Sequence, residues 1–464
     1  MSIQSINPTT EEIIQTFEPY SEAQINQALD QVHTAFLNWR ETSFAERSKH
    51  LHQVGSYMRK RKAELAQLST LEMGKPIVEA EAEIEKCAWA CDFYADNAER
   101  FLADEHVTTN ATESYVSFLP LGVVFALMPW NYPYWQVFRF AAGALMAGNT
   151  IVLKHASNVS LAALEIERIF KESGLPEGVF RTVLVPGAET AKLIADPRIA
   201  AVTLTGSDPA GVAVGSASGR ALKRSVLELG GSDAFIVLDD ADLDAAAQTA
   251  ARARFQNTGQ SCIAAKRFIV VEAVADAFEQ KFVEVAAQLR VGDPMERETQ
   301  IGPMPRGDLR ENLDKQVQAS VKMGAQVALG GKPLEGKGYF YAPTILTNIT
   351  PEMPVFREET FGPVAAVIRA RNAEHAVELA NDSQLGLSGN LWTRDIERAR
   401  KLARRIESGG VFINGMTASD PRLPFGGVKR SGYGRELSTF GIREFVNIQT
   451  VWIGPAIGPQ IPSE

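Results

Sequence analysis

The chain has 464 residues, which at about 150 residues per domain predicts two or three domains, each with its own core. Apolar residues make up 45% and charged residues 22% of the sequence, so a disordered or fibrous protein is excluded. Lys and Arg number 47 against 56 Asp and Glu, which gives a net charge of −9 with no local basic cluster. Nucleic acid and anionic membranes would repel such a chain, and we expect neither as a partner.

The cysteines and the apolar runs indicate the cellular compartment. Three cysteines, at positions 87, 91 and 262, are too few for a disulfide scaffold and favour a reducing environment. Residues 1–12 do not resemble a signal peptide, and the longest apolar stretch, 116–128, is shorter than the ~20 residues that span a bilayer. We therefore expect a soluble, cytoplasmic protein. Cys87 and Cys91 lie four apart on an apolar helical face and are expected in a core, and no metal site is predicted.

The first hundred residues carry apolar positions at helical spacing, for example over 62–73 and 79–93. Short apolar runs that alternate with helical stretches follow at 123–128, 150–153, 182–185, 201–204 and 234–238. A second series lies at 267–271, 326–329, 341–346, 365–369 and 410–414. This alternation is typical of parallel sheets covered on both faces, so it predicts two α/β domains. Residues 113–119 and 445–453 are predicted strands outside both series, and they could form an arm that pairs with another subunit.

Two residues are candidate catalysts. Cys262 ends a polar, glycine-containing loop in which backbone N–H groups would favour a thiolate, although a lone cysteine also fits a buried core position. Glu228 lies in an apolar segment that ends in Gly230 and Gly231, where burial would raise its pKa towards that of a general base. The same residue could equally be an ion-paired structural acid.

Two further candidates follow predicted strands. Asn131 could cap the helix that begins near Pro133, or it could donate its amide to a developing oxyanion. The loop from Gly206 to Gly211 precedes a helix, so its N–H groups could face a cofactor phosphate. Its spacing matches neither a Gly-x-Gly-x-x-Gly motif nor a P-loop. Each signal is weak when taken singly.

Six segments together resemble the aldehyde dehydrogenase superfamily. In the family's order they are Pro-Trp-Asn at 129–131, Leu-Thr-Gly-Ser at 204–207, Glu-Leu-Gly-Gly at 228–231, Gly-Gln-Ser-Cys at 259–262, Glu-Glu-Thr-Phe-Gly-Pro at 358–363 and Pro-Phe-Gly-Gly at 424–427. The ordered set is far more specific than any one segment. Residues 154–157 and 228–233 further resemble the bacterial succinate-semialdehyde dehydrogenase branch.

The resemblance implies an α/β fold with a Rossmann-type cofactor domain, an α/β catalytic domain and a β oligomerisation arm. The implied cofactor domain combines residues 1–111 and 122–229, and the catalytic domain spans 230–440. The arm and tail would combine 112–121 with 441–464. The implied assembly is a homo-oligomer, either a dimer or a dimer of dimers.

The implied reaction is the oxidation of an aldehyde to a carboxylic acid with NAD or NADP. Cys262 would attack the aldehyde carbon, Asn131 and the Cys262 N–H would hold the oxyanion, and Glu228 would activate water to hydrolyse the thioester. Ser157 stands where NAD-preferring relatives usually have Glu, and beside Lys154 it would tolerate the 2′-phosphate of NADP. The residues that match the family's cofactor contacts are Trp130, Lys154, Ser157, Gly206, Ser207, Gly211, Leu229, Glu359 and Phe361.

Arg139 is the residue that indicates the substrate. It lies eight positions, about two helical turns, after Asn131, and a guanidinium there could bind the carboxylate of succinic semialdehyde. The alternative is an arginine paired with a structural acid. The resemblance adds Ser419 as a second hydrogen-bond donor, and Trp135 and Phe255 as apolar walls. Glutaric semialdehyde or a plain aliphatic aldehyde stay open as substrates, and a cysteine hydrolase stays open as a different reaction.

The chain departs from the family's pattern at three places. Gln256 stands where some members carry a second arginine, six residues before the cysteine. Ile263 and Ala264 follow Cys262, so a disulfide within that loop is excluded. Phe140 replaces a lysine of many relatives, which leaves a proton relay through Glu436 open.

Overall fold

The structure is a computed structural model that describes residues 2–454; the end of the predicted tail, 455–464, lies outside the described residues. The α-helices are α1 (Glu22–Trp39), α2 (Phe44–Lys60), α3 (Lys62–Met73), α4 (Ile77–Phe101), α5 (Trp135–Met146), α6 (Ser160–Glu172), α7 (Thr190–Ala195), α8 (Asp208–Arg220), α9 (Leu243–Phe255), α10 (Glu272–Ala286), α11 (Gly307–Lys322), α12 (Pro354–Arg357), α13 (Ala373–Asn381), α14 (Ile396–Ala403) and α15 (Ser438–Arg443). The strands are β1 (Ile3–Asn7), β2 (Glu12–Phe17), β3 (Glu105–His106), β4 (Glu113–Pro120), β5 (Val123–Met128), β6 (Thr150–His155), β7 (Phe180–Thr182), β8 (Ile199–Thr205), β9 (Arg224–Glu228), β10 (Asp233–Val237), β11 (Ala265–Val271), β12 (Gln326–Leu329), β13 (Thr344–Thr347), β14 (Val364–Ala370), β15 (Leu385–Gly386), β16 (Gly389–Trp392), β17 (Val411–Ile413), β18 (Val428–Lys429), β19 (Gly432–Tyr433) and β20 (Val446–Ile453).

The first sheet has the strand order β19-β9-β8-β5-β6-β7, and its strands are parallel except for β19. Its central strand β5 is buried throughout, and its side chains alternate between two separate cores. Val124 and Ala126 belong to one core, whereas Phe125 and Leu127 belong to the other. Both faces of the sheet are therefore covered, as the continuous apolar run predicts.

The second sheet repeats this arrangement later in the chain. Its strand order is β12-β13-β14-β11-β10-β16-β17, and only β12 is antiparallel to its neighbour. Ile236 on β10 belongs to one core, and Phe235 and Val237 belong to the core on the opposite face. The predicted α/β class with two parallel sheets is confirmed. Cys262 lies just before β11, at the carboxyl edge of helix α9.

A third, antiparallel sheet joins β4 and β20 along eight residue pairs, with β3 on the other side of β4. β4 and β20 correspond to the predicted arm. The domain bounds stay a prediction, and two strands cross them. β3, from the predicted cofactor segment, pairs with β4, and β19, from the predicted catalytic segment, pairs with β9 in the first sheet. No helix of residues 2–454 is both long and apolar enough to cross a bilayer.

Candidate active site

Cys262 ends a loop with an unusual backbone. Asn257, Thr258 and Gly259 are consecutive residues in the left-handed region, with φ of 53°, 55° and 71°. Such a conformation is rare for a β-branched residue such as Thr258, and it persists only where surrounding contacts fix it. The Thr258 hydroxyl supplies one of these contacts, because it accepts a hydrogen bond from Gly302 N at 3.0 Å. The loop before the cysteine is therefore held in one shape.

Asn257 ties this loop to two other parts of the chain. Its N–H donates to Glu79 Oε2 at 2.6 Å, and its amide Nδ2 donates to the carbonyls of Asn131 at 2.8 Å and Gln260 at 3.2 Å. Burial raises the pKa of Glu79 to about 7. The loop thus sits against helix α4 on one side and against the segment after β5 on the other.

Asn131 does not cap a helix. Helix α5 begins at Trp135, and Glu83 accepts the N–H groups of Tyr134 and Trp135 at 2.9 and 2.8 Å. The side chain of Asn131 is 3% exposed and donates one amide hydrogen to Gln260 O at 3.1 Å. A primary amide has two N–H groups, so one is left to face an oxyanion beside the Cys262 loop.

Two cavities meet at Cys262. The larger one has a volume of about 420 Å³, and the smaller one about 240 Å³. Only Gln136 and Cys262 line both cavities. A nucleophile at such a junction can react with a ligand in one cavity while a second ligand occupies the other.

The larger cavity, here called the substrate cavity, is lined by a lysine that the sequence analysis did not single out. Arg139, Trp135 and Ser419 line it as expected. Lys86 on α4 lines it as well: its Nζ lies 4.5 Å from the centre of the Trp135 ring and donates to Ser419 Oγ at 2.7 Å. Burial and the charge of Arg139 lower the pKa of Lys86 to about 8. No carboxylate forms an ion pair with this ammonium within residues 2–454.

Arg139 is largely occupied by other groups. It forms a buried ion pair with Glu436, its Nη2 donates to Thr205 Oγ1 at 3.1 Å, and its guanidinium lies over the Phe425 ring at 4.4 Å. Two of the three guanidinium nitrogens of Arg139 already have partners. The expectation that Arg139 binds a substrate carboxylate through two hydrogen bonds is therefore corrected. The alternative, an arginine paired with a structural acid, describes this residue better.

Phe255 does not line the substrate cavity. It is the last residue of α9, and its ring packs against Phe282 of α10 with a centroid distance of 6.3 Å, inside the core of the second sheet. The next residue, Gln256, faces the cavity instead. The expectation for Phe255 is therefore wrong, because the helix turns this side chain towards its neighbour.

Glu228 is buried and lies beside two charged groups. Burial raises the pKa of its carboxyl well above the usual range, Glu436 raises it further, and Arg139 lowers it. Neither carboxyl oxygen has a hydrogen-bond partner within residues 2–454. Gly426 is close enough that a Cβ at that position would lie 2.6 Å from Glu228 Oε1. Glu228 lines neither cavity in this structure, so its side chain must turn to reach a ligand on Cys262.

The thiol of Cys262 is held mainly in its protonated form. Burial raises its pKa to about 12, whereas the positive charges of Arg139 and Lys266 lower it. Cys87 and Cys91 are also free thiols, and both belong to the core beside α4 as predicted.

The aldehyde dehydrogenase family matches residues 1–451 of the chain. The protein belongs to this family.

Several similar proteins show which branch of the family this chain resembles. A probable NADP(+) succinate-semialdehyde dehydrogenase of Synechocystis is 52% identical, over 98% of this chain and 100% of the relative. A succinate semialdehyde dehydrogenase of Escherichia coli, named for NAD(P)+, is 50% identical over 97% of each chain. The crystal structure of succinic semialdehyde dehydrogenase from Streptococcus pyogenes in complex with NADP+ superposes with a TM-score of 0.95 at 36% identity, covering 98% of this chain and 100% of that one.

The smaller cavity, here called the cofactor cavity, has the lining that the family resemblance predicts. Six of the nine expected cofactor residues line it: Trp130, Gly206, Ser207, Leu229, Glu359 and Phe361. The rings of Trp130 and Phe361 meet edge to face, with centroids 5.6 Å apart. The hydroxyl of Ser207 makes no bond to the start of α8, so it is available to a ligand. These residues fit a dinucleotide.

Lys154 and Ser157 lie outside that cavity, where β6 ends. Lys154 Nζ donates to His155 O at 3.2 Å and has no acidic partner within the described part of the chain, and burial lowers its pKa. Ser157 is exposed. A cation without a competing carboxylate suits a phosphate group.

The two glycines of the 206–211 loop act differently from the prediction. Gly206 N donates to Glu228 O at 3.0 Å, and Gly211 N donates to Ser207 O at 2.9 Å, so neither N–H is available to a phosphate. Gly211 instead lets helix α8 approach Leu229, because a Cβ there would lie 2.4 Å from Leu229 Cδ1. The role of Gly211 is therefore to admit close packing of α8 against Leu229.

Proposed function

We propose that this aldehyde dehydrogenase oxidises succinic semialdehyde to succinate, with NADP or NAD as the hydride acceptor. The observation that carries the substrate assignment is the half-buried ammonium of Lys86, which lines the substrate cavity and forms no ion pair with a carboxylate within residues 2–454. The charges of Asp420 and Glu83 favour its protonated form from a distance. A partly desolvated charge is stabilised by a direct partner, and the carboxylate of a short semialdehyde would supply one. The names of the relatives at about 50% identity point to the same substrate.

The carboxylate would bind between Lys86 and Ser419. These side chains already contact each other, so a bound carboxylate oxygen could accept a hydrogen bond from both. Arg139 also lines this cavity, so its positive charge would contribute to attracting the carboxylate. The other end of the substrate, the aldehyde, would then lie at Cys262, where the two cavities join.

The chain's own groups then supply the chemistry at the aldehyde. The fraction of Cys262 that is present as thiolate, which the positive charges of Arg139 and Lys266 increase, attacks the carbonyl carbon. The free amide hydrogen of Asn131 together with the Cys262 N–H stabilises the oxyanion, a contribution of about 3–4 kcal/mol. A dinucleotide held by Trp130, Glu359 and Phe361 of the cofactor cavity would supply the hydride acceptor, so that the thiohemiacetal on Cys262 would become a thioester. Glu228, whose pKa is raised by burial and so whose carboxylate binds a proton more strongly than an exposed one, turns towards the thioester and takes a proton from the attacking water.

The cofactor would lie in the cofactor cavity with its adenosine end near Lys154. No carboxylate stands at position 157 to repel a 2′-phosphate, and Lys154 has no acid to neutralise it, so NADP is expected to bind well. NAD lacks only the phosphate and would fit the same cavity.

The alternatives weighed for the reaction and the substrate are less well supported. A cysteine hydrolase needs a histidine beside its thiol, and no histidine lines either cavity in the described part of the chain. Glutaric semialdehyde differs by one methylene, which a pocket distinguishes by only about 1–3 kcal/mol, so it is expected as a poorer second substrate.

The test compares succinic semialdehyde with butanal, which has the same chain length and no carboxylate. We expect Lys86→Met to lower kcat/KM for succinic semialdehyde by about a hundredfold, since one buried hydrogen-bonded charge pair is lost, and to change kcat/KM for butanal little. Initial rates of NADPH and NADH formation provide the measurement. Equal losses for both aldehydes would contradict carboxylate recognition by Lys86.

Lys401→Met is the matched control, because Lys401 is an exposed lysine on α14 and its replacement removes the same charge. This variant should behave as the wild-type protein does towards both aldehydes. A wild-type protein that oxidises neither aldehyde with either cofactor would overturn the proposed function itself.

We further propose a homo-oligomer that assembles through the arm sheet and works in the cytoplasm. Leu119 on β4 and Ile448 and Ile453 on β20 expose 42%, 57% and 46% of their surfaces, and a second copy would cover them. The free thiols favour the reducing cytoplasm. Ile448→Asp should shift the mass measured by light scattering towards the monomer, and an unchanged mass would count against assembly through this sheet.

A further inference from the structure

Lys266 is a buried lysine directly behind the catalytic loop. It lies on β11, four residues after Cys262, and its side chain has no exposed surface. Its Nζ donates to the carbonyls of Ser261 at 2.9 Å, Cys262 at 2.8 Å and Ala264 at 3.2 Å. Burial of an ammonium is costly, and here three carbonyls of one turn offset that cost.

These contacts determine which way the Cys262 N–H points. A trans peptide unit directs its C=O and its N–H to opposite sides, and residues 2–454 contain no cis peptide bond. Since the carbonyl of Ser261 points to Lys266, the N–H of Cys262, which belongs to the same peptide unit, points away from Lys266. This N–H donates to no backbone acceptor within the described residues. It is therefore free for an oxyanion.

The same ammonium also contacts a residue of the cofactor cavity. Its Nζ lies 3.4 Å from Oε1 of Glu359, a residue that lines this cavity. The same Glu359 oxygen accepts the N–H of Gly231 at 3.1 Å. One side chain thus contacts both the nucleophile's loop and the carboxylate expected to hold a cofactor ribose.

Four charged or titratable groups surround Lys266, and Cys262 is one of them. Glu359 and Asp233 are acidic, and Arg254 is a second buried cation that donates to Gly259 O. The positive charge of Lys266 lowers the pKa of the Cys262 thiol, as Arg139 does, whereas Glu359 and Asp233 raise it. The charge of Lys266 therefore favours the thiolate.

We propose that Lys266 is a positioning residue that turns the Cys262 N–H towards the oxyanion, stabilises the Cys262 thiolate and holds Glu359 for the cofactor. The role in the oxyanion rests on the proposed function, whereas the effect on the thiolate does not. The structure therefore allows two readouts, one that needs turnover and one that does not.

The first readout is the rate at which iodoacetamide alkylates Cys262, measured against pH in the absence of aldehyde. In Lys266→Met we expect the alkylation rate to fall about tenfold across the neutral and mildly alkaline range, because one pKa unit corresponds to a tenfold smaller thiolate fraction. A profile that coincides with that of the wild-type protein would overturn the proposal. The Cys262→Ala variant gives the background rate.

The second readout separates positioning from simple damage to the fold. We expect kcat to fall at least tenfold and the Kd for NADP, followed by tryptophan fluorescence, to rise, while KM for the aldehyde stays within about twofold. Lys266→Gln keeps N–H donors without the charge. It should therefore retain a higher kcat than Lys266→Met, while its alkylation profile should resemble that of Lys266→Met. Wild-type kcat in both variants would contradict the assignment.

Lys281→Met is the matched control for both readouts. Lys281 lies on α10 and pairs with Asp244 at the surface, so its loss removes one lysine charge far from Cys262. Should Lys266→Met not fold, as circular dichroism would show, Lys266→Gln carries the alkylation test. A wild-type protein that oxidises no aldehyde would end the oxyanion role while leaving the alkylation result valid.

Discussion

Arg139 and Glu436 form an ion pair in which the side chains are only 2% and 1% exposed. The pair lies beside Glu228, where Glu436 raises the pKa of the carboxyl and Arg139 lowers it. Phe140 stands where many relatives have a lysine. Glu436 nevertheless has a cationic partner, because Arg139, which directly precedes Phe140, pairs with it. The proton affinity of the proposed general base is therefore set by a neighbouring buried pair.

Replacing Glu436 by Gln should make Glu228 more acidic. The variant removes a negative charge that raises the pKa of Glu228 and frees Arg139, which lowers it, so both effects have the same sign. We expect the rise of kcat with pH, measured where thioester hydrolysis limits turnover, to move to lower pH by about one unit. Glu444→Gln should give a smaller shift in the same direction, because Glu444 is a weaker influence on Glu228. A shift to higher pH would refute this role of the pair.

Recognition of the substrate carboxylate should weaken in mildly alkaline solution. The pKa of Lys86 is lowered to about 8, so its ammonium is present below that pH and is lost above it, while the substrate carboxylate stays ionised throughout. We expect kcat/KM for succinic semialdehyde to fall above about pH 8 relative to kcat/KM for butanal. In Lys86→Met this ratio should not vary with pH; a ratio that still falls would assign the effect to another group.

Binding of NADP should depend on the absence of charge at position 157. Ser157→Glu places a carboxylate near Lys154, where it would repel a 2′-phosphate and neutralise the lysine. We expect KM for NADP to rise by at least about tenfold and KM for NAD to change little. Ser157→Gln has a side chain of similar size without the charge, and it should retain most of the NADP activity. Equal effects of the two substitutions would indicate crowding rather than charge.

Much of the fold could be predicted because buried strands and amphipathic helices leave local patterns. The predicted spans 123–128 and 62–73 coincide with β5 and α3. The predicted strand at 182–185 is wrong, since β7 ends at Thr182. Residues 183–185 are buried, yet after Val183 the segment leaves the sheet. An apolar run therefore predicts that a segment is buried, but it does not predict that the segment pairs in a sheet.

The substrate site was harder to predict because it combines distant segments. Ser419 and Lys86 are 333 residues apart, and their contact depends on how α4 packs beside the loop that follows β17. In the sequence, Lys86 looks like an ordinary exposed lysine of an amphipathic helix. A weak local signal exists: Glu79, Glu83 and Lys86 recur at helical spacing, and all three line the substrate cavity. Cys262 and Asn131 could be predicted as site residues from the short segments 259–262 and 129–131. The chemistry proposed for them needs a fixed local backbone, and such a backbone leaves a local sequence motif.

The two cavities share Gln136 and Cys262 and are otherwise lined by different residues. A carboxylic acid beside Lys86 and a reduced cofactor in the other cavity would therefore share only these two contacts with the protein, so the two products need not compete for the same groups.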